Sequence, residues 1–157
     1  MPVRRQLRFD TLADAVRDAE ALLANGYDKV GKWSLGQCCG HLANWLTYPI
    51  DGFPKIPLLL RPVMWALRNT VGRRKYETYV REQTFPSGAP TVPQSVPTPD
   101  ADDTDGVAKL KAAAERYEAY TGPLHPSPLF GPLTKDEARK MQLVHCAHHL
   151  SFLGPKG

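Results

Sequence analysis

Apolar residues fall at Leu12, Ala15, Val16, Ala19, Leu22 and Leu23, the spacing of one helix face at about 3.6 residues per turn. Thr11 is placed to cap this predicted helix, Asp14 lies in its first turn, and Gly26 stands just past its end near Ala24. A second helix is predicted from Ser34, because Ser34-Leu-Gly-Gln37 has capping-box spacing and Trp33 and Cys38 occupy the staple positions. It should run to about Tyr48 and stop near Pro49. Residues 57–72 are apolar enough for an extra helical segment, interrupted at Pro62. Acidic residues from Asp102 to Asp105 open a further helix to about Tyr120, with Val107, Leu110, Ala114 and Tyr117 on one stripe. The last helix starts on the capping box Thr134-Lys-Asp-Glu137, runs to about Leu153 and stops at Gly154-Pro155.

Residues 85–100 carry five prolines and no apolar period, which predicts an extended crossover. A second proline-rich loop covers residues 122–132. The best strand candidate is residues 75–81. Four main helices, one extra segment and one long crossover predict an all-α fold, a four-helix bundle.

Composition narrows this only a little. A chain of 157 residues suits one domain, 1–157, and 42% hydrophobic with 23% charged residues argues against disorder and coiled coil. The 15 prolines are about twice the usual share of about 5%. A net charge of +4 is too small to imply nucleic acid. The basic run Arg68, Arg73, Arg74, Lys75 and Arg81 lacks interleaved aromatics and reads as a solvated face, so no specific nucleic-acid partner is expected. Three cysteines, Cys38, Cys39 and Cys146, make no disulfide framework and point to a reducing cytoplasm. The basic N-terminus has no apolar region after it. The most apolar window, 56–71, contains Arg61 and Arg68 and is shorter than the roughly 20 residues a span needs, so no membrane partner is expected.

The histidines carry the chemistry. His145 and His149 lie about 40° apart on one helix face, one turn apart, where two rings can reach a single metal. That face also holds Ala138, Met141 and Phe152, so it should point inward; His41 shares a face with Cys38, Leu42 and Trp45, also inward. Buried histidines often serve as hydrogen-bonded core residues. Three together each need a donor and an acceptor partner, and one divalent ion satisfies all three. His148, about 60° from His145 on the other side, reads as lying outside the ligand set, with an i, i+3 pairing to His145 as the alternative. Cys38 reads as a space-filling thiol beside the site, with a fourth thiolate ligand as the alternative. Cys39 and Cys146 read as packing, Trp45 and Trp65 as core. His125 reads as structural or solvated, with a place at the cavity mouth as the alternative. Gln142 is either a partly buried surface residue or a group orienting a ligand or water. No Ser-His-Asp order, phosphate loop or carboxylate pair is present.

Trp33-Ser-Leu-Gly-Gln37 with His41-Leu42, and His145-Cys-Ala-His148-His149-Leu late in the chain, resemble the DinB/YfiT-like superfamily. His125-Pro, Leu129-Phe-Gly-Pro-Leu-Thr134 and His148-His-Leu-Ser-Phe-Leu153 are similar to its DUF1569 branch. The resemblance covers nearly the whole chain. It implies a four-helix bundle with a metal held by His41, His145 and His149, in a superfamily that includes metal-dependent thiol transferases and isomerases. Imidazole ligands suit several metals, and Zn or Ni is expected here. Such a site can activate a thiol or a water. No Asp or Glu lies on the inward faces, since Glu137 sits off at the helix start, and this favours a thiol-dependent transferase with a small-molecule substrate and a low-molecular-weight thiol. A metal-dependent hydrolase, or a non-catalytic metal- or ligand-binding bundle, is the alternative. Leu143, Ala147 and Leu150 form a second apolar stripe on the last helix, which calls for either residues 57–72 or a second subunit, a homodimer, as its cover.

Overall fold

Three helices start on capping boxes, and these fix the frame of the molecule. The computed structural model describes residues 3–86, 88 and 91–156. Thr11 caps α1 (Leu12–Asn25) reciprocally with Asp14, Ser34 caps α2 (Leu35–Asp51) with Gln37, and Thr134 caps α6 (Lys135–Leu150) with Glu137. Each box satisfies amide groups that the first turn leaves without a partner. Between α2 and α6 lie α3 (Arg61–Leu67), α4 (Arg73–Glu82) and α5 (Asp103–Ala119), the last capped by Asp102. Gly26, at φ 78°, turns the chain out of α1 into a short strand, β1 (Tyr27–Lys29). The strand pairs antiparallel with β2 (Leu153–Pro155), Asp28 opposite Gly154.

The molecule is mostly helical, and the sheet has two strands. The core draws Leu12, Ala15 and Leu22 from α1, Leu35, Leu42 and Leu46 from α2, Leu110 and Tyr117 from α5, and Cys146 and Leu150 from α6. The closest helix pair is α2 with α5. Gly36 and Gly106 meet there, and a Cβ on Gly106 would stand 2.6 Å from the Gly36 Cα. Asp103, in the first turn of α5, reaches across this crossing. Its carboxylate accepts from the Gly36 amide at 2.7 Å and from the Tyr27 hydroxyl at 2.8 Å, placing negative charge beside the positive end of α2.

Four expectations are corrected. α2 does not stop at Pro49 but runs through it to Asp51. A proline there removes the amide that would bond the Trp45 carbonyl, and the Gln142 side chain of α6 donates to that carbonyl instead, at 2.8 Å. Pro62 sits in the first turn of α3, where its missing amide costs nothing, and does not interrupt the segment. The helical path continues through a π-helical turn (Arg68–Gly72) into α4, so residues 75–81 are helix and no strand. Tyr76 anchors α4, buried with its hydroxyl donating to the Glu137 carbonyl at 3.1 Å. Finally, α6 ends at Leu150, and residues 153–155 pair as β2.

The second stripe on α6 finds its cover inside the chain. Leu150 is fully buried and Ala147 nearly so, and α1 packs along α6. Residues 57–67 do not supply that cover, being exposed apart from Met64. Among its described residues the crossover is irregular except for a 3-10 turn at Pro93–Ser95. Residues 87, 89 and 90 of the predicted crossover lie outside the described residues. No helix among the described residues is long and apolar enough to cross a membrane.

Candidate metal centre

The inward faces of α2 and α6 bring His41, His145 and His149 together. The Nε2 atom of His145 lies 3.2 Å from that of His41 and 3.0 Å from that of His149. One ring nitrogen from each residue falls within 4.8 Å of the other two, close enough for all three to hold one ion. His148 is not in this group. Its Nδ1 accepts from the Arg4 guanidinium at 3.2 Å, and its ring meets that of His149 edge-on at 4.9 Å, outside the converging nitrogens.

The crossover sets the state of His41. Its Nδ1 is 3.0 Å from the Ser95 carbonyl oxygen. A carbonyl only accepts, so Nδ1 of the neutral ring carries the proton and Nε2 presents a lone pair to the other two rings. With His41 fixed as an acceptor, one proton on His145 or His149 bridges at most one contact fully. The remaining lone pairs face each other, an arrangement a cation resolves. Burial holds His41 down to about 4, and holds His145 and His149 well below the ordinary imidazole value. Burial and the Arg4 charge bring His148 to about 4. All four are therefore neutral near pH 7, the form that ligates metal.

Aromatic rings lock these orientations. Trp33, just before the α2 cap, stacks on His149 at 5.3 Å and 9° and meets His41 edge-on at 5.0 Å. Trp45, partly buried, lies edge-on to His145 at 5.7 Å. Trp65 corrects the core assignment: it is 64% exposed, on α3.

Cys38 packs beside the rings as a neutral thiol. Its Sγ points to the His149 carbonyl at 3.9 Å, burial pushes it up to about 12, and it is outside the converging ligand atoms. Cys39 and Cys146 are buried in the core, and all three cysteines are free. Gln142 is not the partly buried surface residue that was one of its two expected readings. It is 7% exposed and braces the Trp45 carbonyl at the Pro49 gap. His125 holds the loop after α5 by donating its amide to the Pro49 carbonyl at 2.7 Å, and its ring lines a side cavity of about 50 Å³.

The histidines open into a cavity of about 500 Å³, within the range of small-molecule sites. Its walls include Met64, Phe85, Phe130 and Met141, with Lys32 at the edge; among the described residues no carboxylate lines it. Two buried polar atoms on its lining residues, Trp45 Nε1 and Gln142 Oε1, have no hydrogen-bond partner among the described residues.

Three contributors were missed from the sequence. The Ser95 carbonyl carries no side-chain signature and lies 54 residues from its ring. Arg4 reaches His148 from a segment without periodicity. Trp33 was legible as a staple residue, and its position before a capped, histidine-bearing helix was the available signal.

A model of the family described as protein of unknown function (DUF1569) matches residues 1–156. No curated protein and no solved structure matches the chain. Its first strand, its histidine-bearing helices and its crossover thus all fall within one family match, and the chain belongs to the DUF1569 family.

Proposed function

We propose that the protein is a metal-dependent enzyme of the DinB/YfiT-like superfamily, its four packed helices α1, α2, α5 and α6 forming that bundle, with Zn or Ni on His41, His145 and His149. The observation that carries this reading is the convergence of three ring nitrogens, one of them held as a lone-pair donor by the Ser95 carbonyl. A divalent ion on three neutral imidazoles keeps its full charge and an open position, and there acidifies a thiol or a water.

The chain's own groups favour thiol-dependent transfer to or from a small molecule. Hydrolysis calls for a nearby general base, and no carboxylate lines the cavity among the described residues. The three protein thiols are buried, with Cys38 and Cys146 both pushed up to about 12, so the reacting thiol comes from a soluble co-substrate. The apolar walls take the carbon skeleton of the substrate. Free, buried cysteines accord with a cytoplasmic setting.

Elemental analysis of tag-free protein tests the site, with His41, His145, His148 and His149 changed singly to Ala. About one ion per chain is expected in the wild type and in His148→Ala, with tight binding abolished in His145→Ala. Metal retained by His145→Ala would remove the proposal. The visible spectrum of the cobalt-loaded protein then tests the thiol. It should change on adding a low-molecular-weight thiol; an unchanged spectrum, with thiol-independent ester or amide cleavage, would make the protein a hydrolase.

A further inference from the structure

The segment from Leu58 to Leu67 lies almost wholly in solvent although it is the most apolar part of the chain. Leu58 is 75% exposed, Leu59 90%, Leu60 52%, Val63 55% and Trp65 64%. No residue of α3 or of the 3-10 turn before it is buried. Single exposed apolar residues need no explanation, but a continuous run of this kind marks a surface that meets something.

Charge says what it meets. Residues 52–76 hold Lys55, Arg61, Arg68, Arg73, Arg74 and Lys75 and no acidic residue, whereas the rest of the chain has two more acids than bases. Among the described residues, only Arg73 of these six is drawn into ion pairs, with Glu77 and Glu137. A second copy seated on this face through a two-fold axis would set the same six cations against one another. Leucines and a tryptophan that stand free of the body, flanked by arginine and lysine, match instead the demands of an anionic bilayer surface. The apolar side chains enter the boundary between headgroups and acyl chains, Trp65 sits at headgroup level, and the cations meet lipid phosphates.

We propose that residues 55–75 form a docking surface for anionic lipid membranes, on which the protein lies without spanning the bilayer. This departs from the sequence expectation of no membrane partner, which rested on the length needed for a span; lying on a membrane requires exposure, and that is visible only in the structure. Met64, on the same segment, lines the cavity, so docking sets the cavity wall against the lipid surface. The inference is independent of the metal and of the reaction.

Co-sedimentation with vesicles tests it, using phosphatidylcholine alone and phosphatidylcholine with one third phosphatidylglycerol. The protein should pellet with the mixed vesicles at low salt, stay in solution with phosphatidylcholine alone, and bind less as salt rises. The double variant Leu59→Glu/Trp65→Glu, at exposed positions, should keep the wild-type circular dichroism and lose about tenfold or more of the partitioning. Should that variant misfold, Arg61→Gln/Arg74→Gln gives the same reading through charge alone. The proposal is overturned if the wild type stays in solution with mixed vesicles at low salt, or if the folded variants pellet equally well. It is also overturned if light scattering finds a wild-type dimer that Leu59→Glu/Trp65→Glu converts to monomer, which would make the face a contact between copies.

Discussion

Helices α2 and α3 are both rich in large apolar side chains, and they end in opposite environments. Ten of the 17 residues of α2 are buried, among them Leu35, Leu42 and Leu46 with no exposure; α3 has none. In α2 the large residues recur at helical spacing, and Gly36 and Gly40 between them let α5 and Pro97 of the crossover come close. In the segment before and along α3, Leu58, Leu59, Leu60, Val63, Met64 and Trp65 spread around the axis, and Arg61 and Arg68 fall among them. Burying all these apolar residues against a protein core would bury Arg61 or Arg68 as well, which costs far more than a leucine returns. A lipid surface leaves the guanidinium groups at the phosphates. Burial follows the arrangement of apolar residues and the room beside them, more than their number.

The strongest test of this contrast is acid. The unfolded chain protonates its histidines near the ordinary value of 6.5, while burial keeps His41 neutral to about 4 and holds His145 and His149 well below the ordinary value. Unfolding of the metal-free protein therefore takes up protons, so stability rises with pH and is lost as pH falls from about 6.5 towards 4. Each such histidine contributes about 1.4 kcal/mol per pH unit. Helix α3 buries no residue and adds nothing to this slope. A urea midpoint unchanged between pH 7 and pH 5 would show that the cluster is open to water.

Matched truncations read the contrast directly. Leu46→Ala should cost about 2–5 kcal/mol, because it leaves a hole in the α2 core. Leu59→Ala should stay within about 0.5 kcal/mol. Equal losses in chemical denaturation would mean that α3 is packed in solution. A finer probe is Gly106→Ala, where the added methyl meets the backbone of α2. It should lower stability by about 1–3 kcal/mol, and a neutral result would show that the α2–α5 crossing can open without cost.

Much of this was legible in the sequence where the signal is local. Ser34 and Thr134 announced their helices because a capping box is complete within four residues, and Thr11 announced its own as a cap. His41, His145 and His149 could be placed on inward faces because helical period alone assigns a face. The misses share one physical reason, that their partners are remote. Pro49 ends no helix because Gln142, far along the chain, bonds the carbonyl it abandons. Residues 153–155 are a strand because β1 is there to pair with them. Residues 75–81 were the best strand candidate, yet they belong to α4, from which Tyr76 docks on α6. Trp65 was assigned to the core on residue type, and type says nothing about whether a neighbour exists.

One bond, from His41 to the Ser95 carbonyl, ties the ligand set to the order in which the chain assembles. His41, His145 and His149 ride on two helices of the core, but the lone pair of His41 is aimed by a loop 54 residues away. During folding, α2 and α6 can meet before the crossover settles, and the His41 ring is then free to turn or to exchange its tautomer. On the proposed metal reading, tight capture would be a late event, gated by a segment that contributes no ligand. A nick in that loop would leave the three rings intact and speed the escape of the ion, so its residence time is a clock for loop docking.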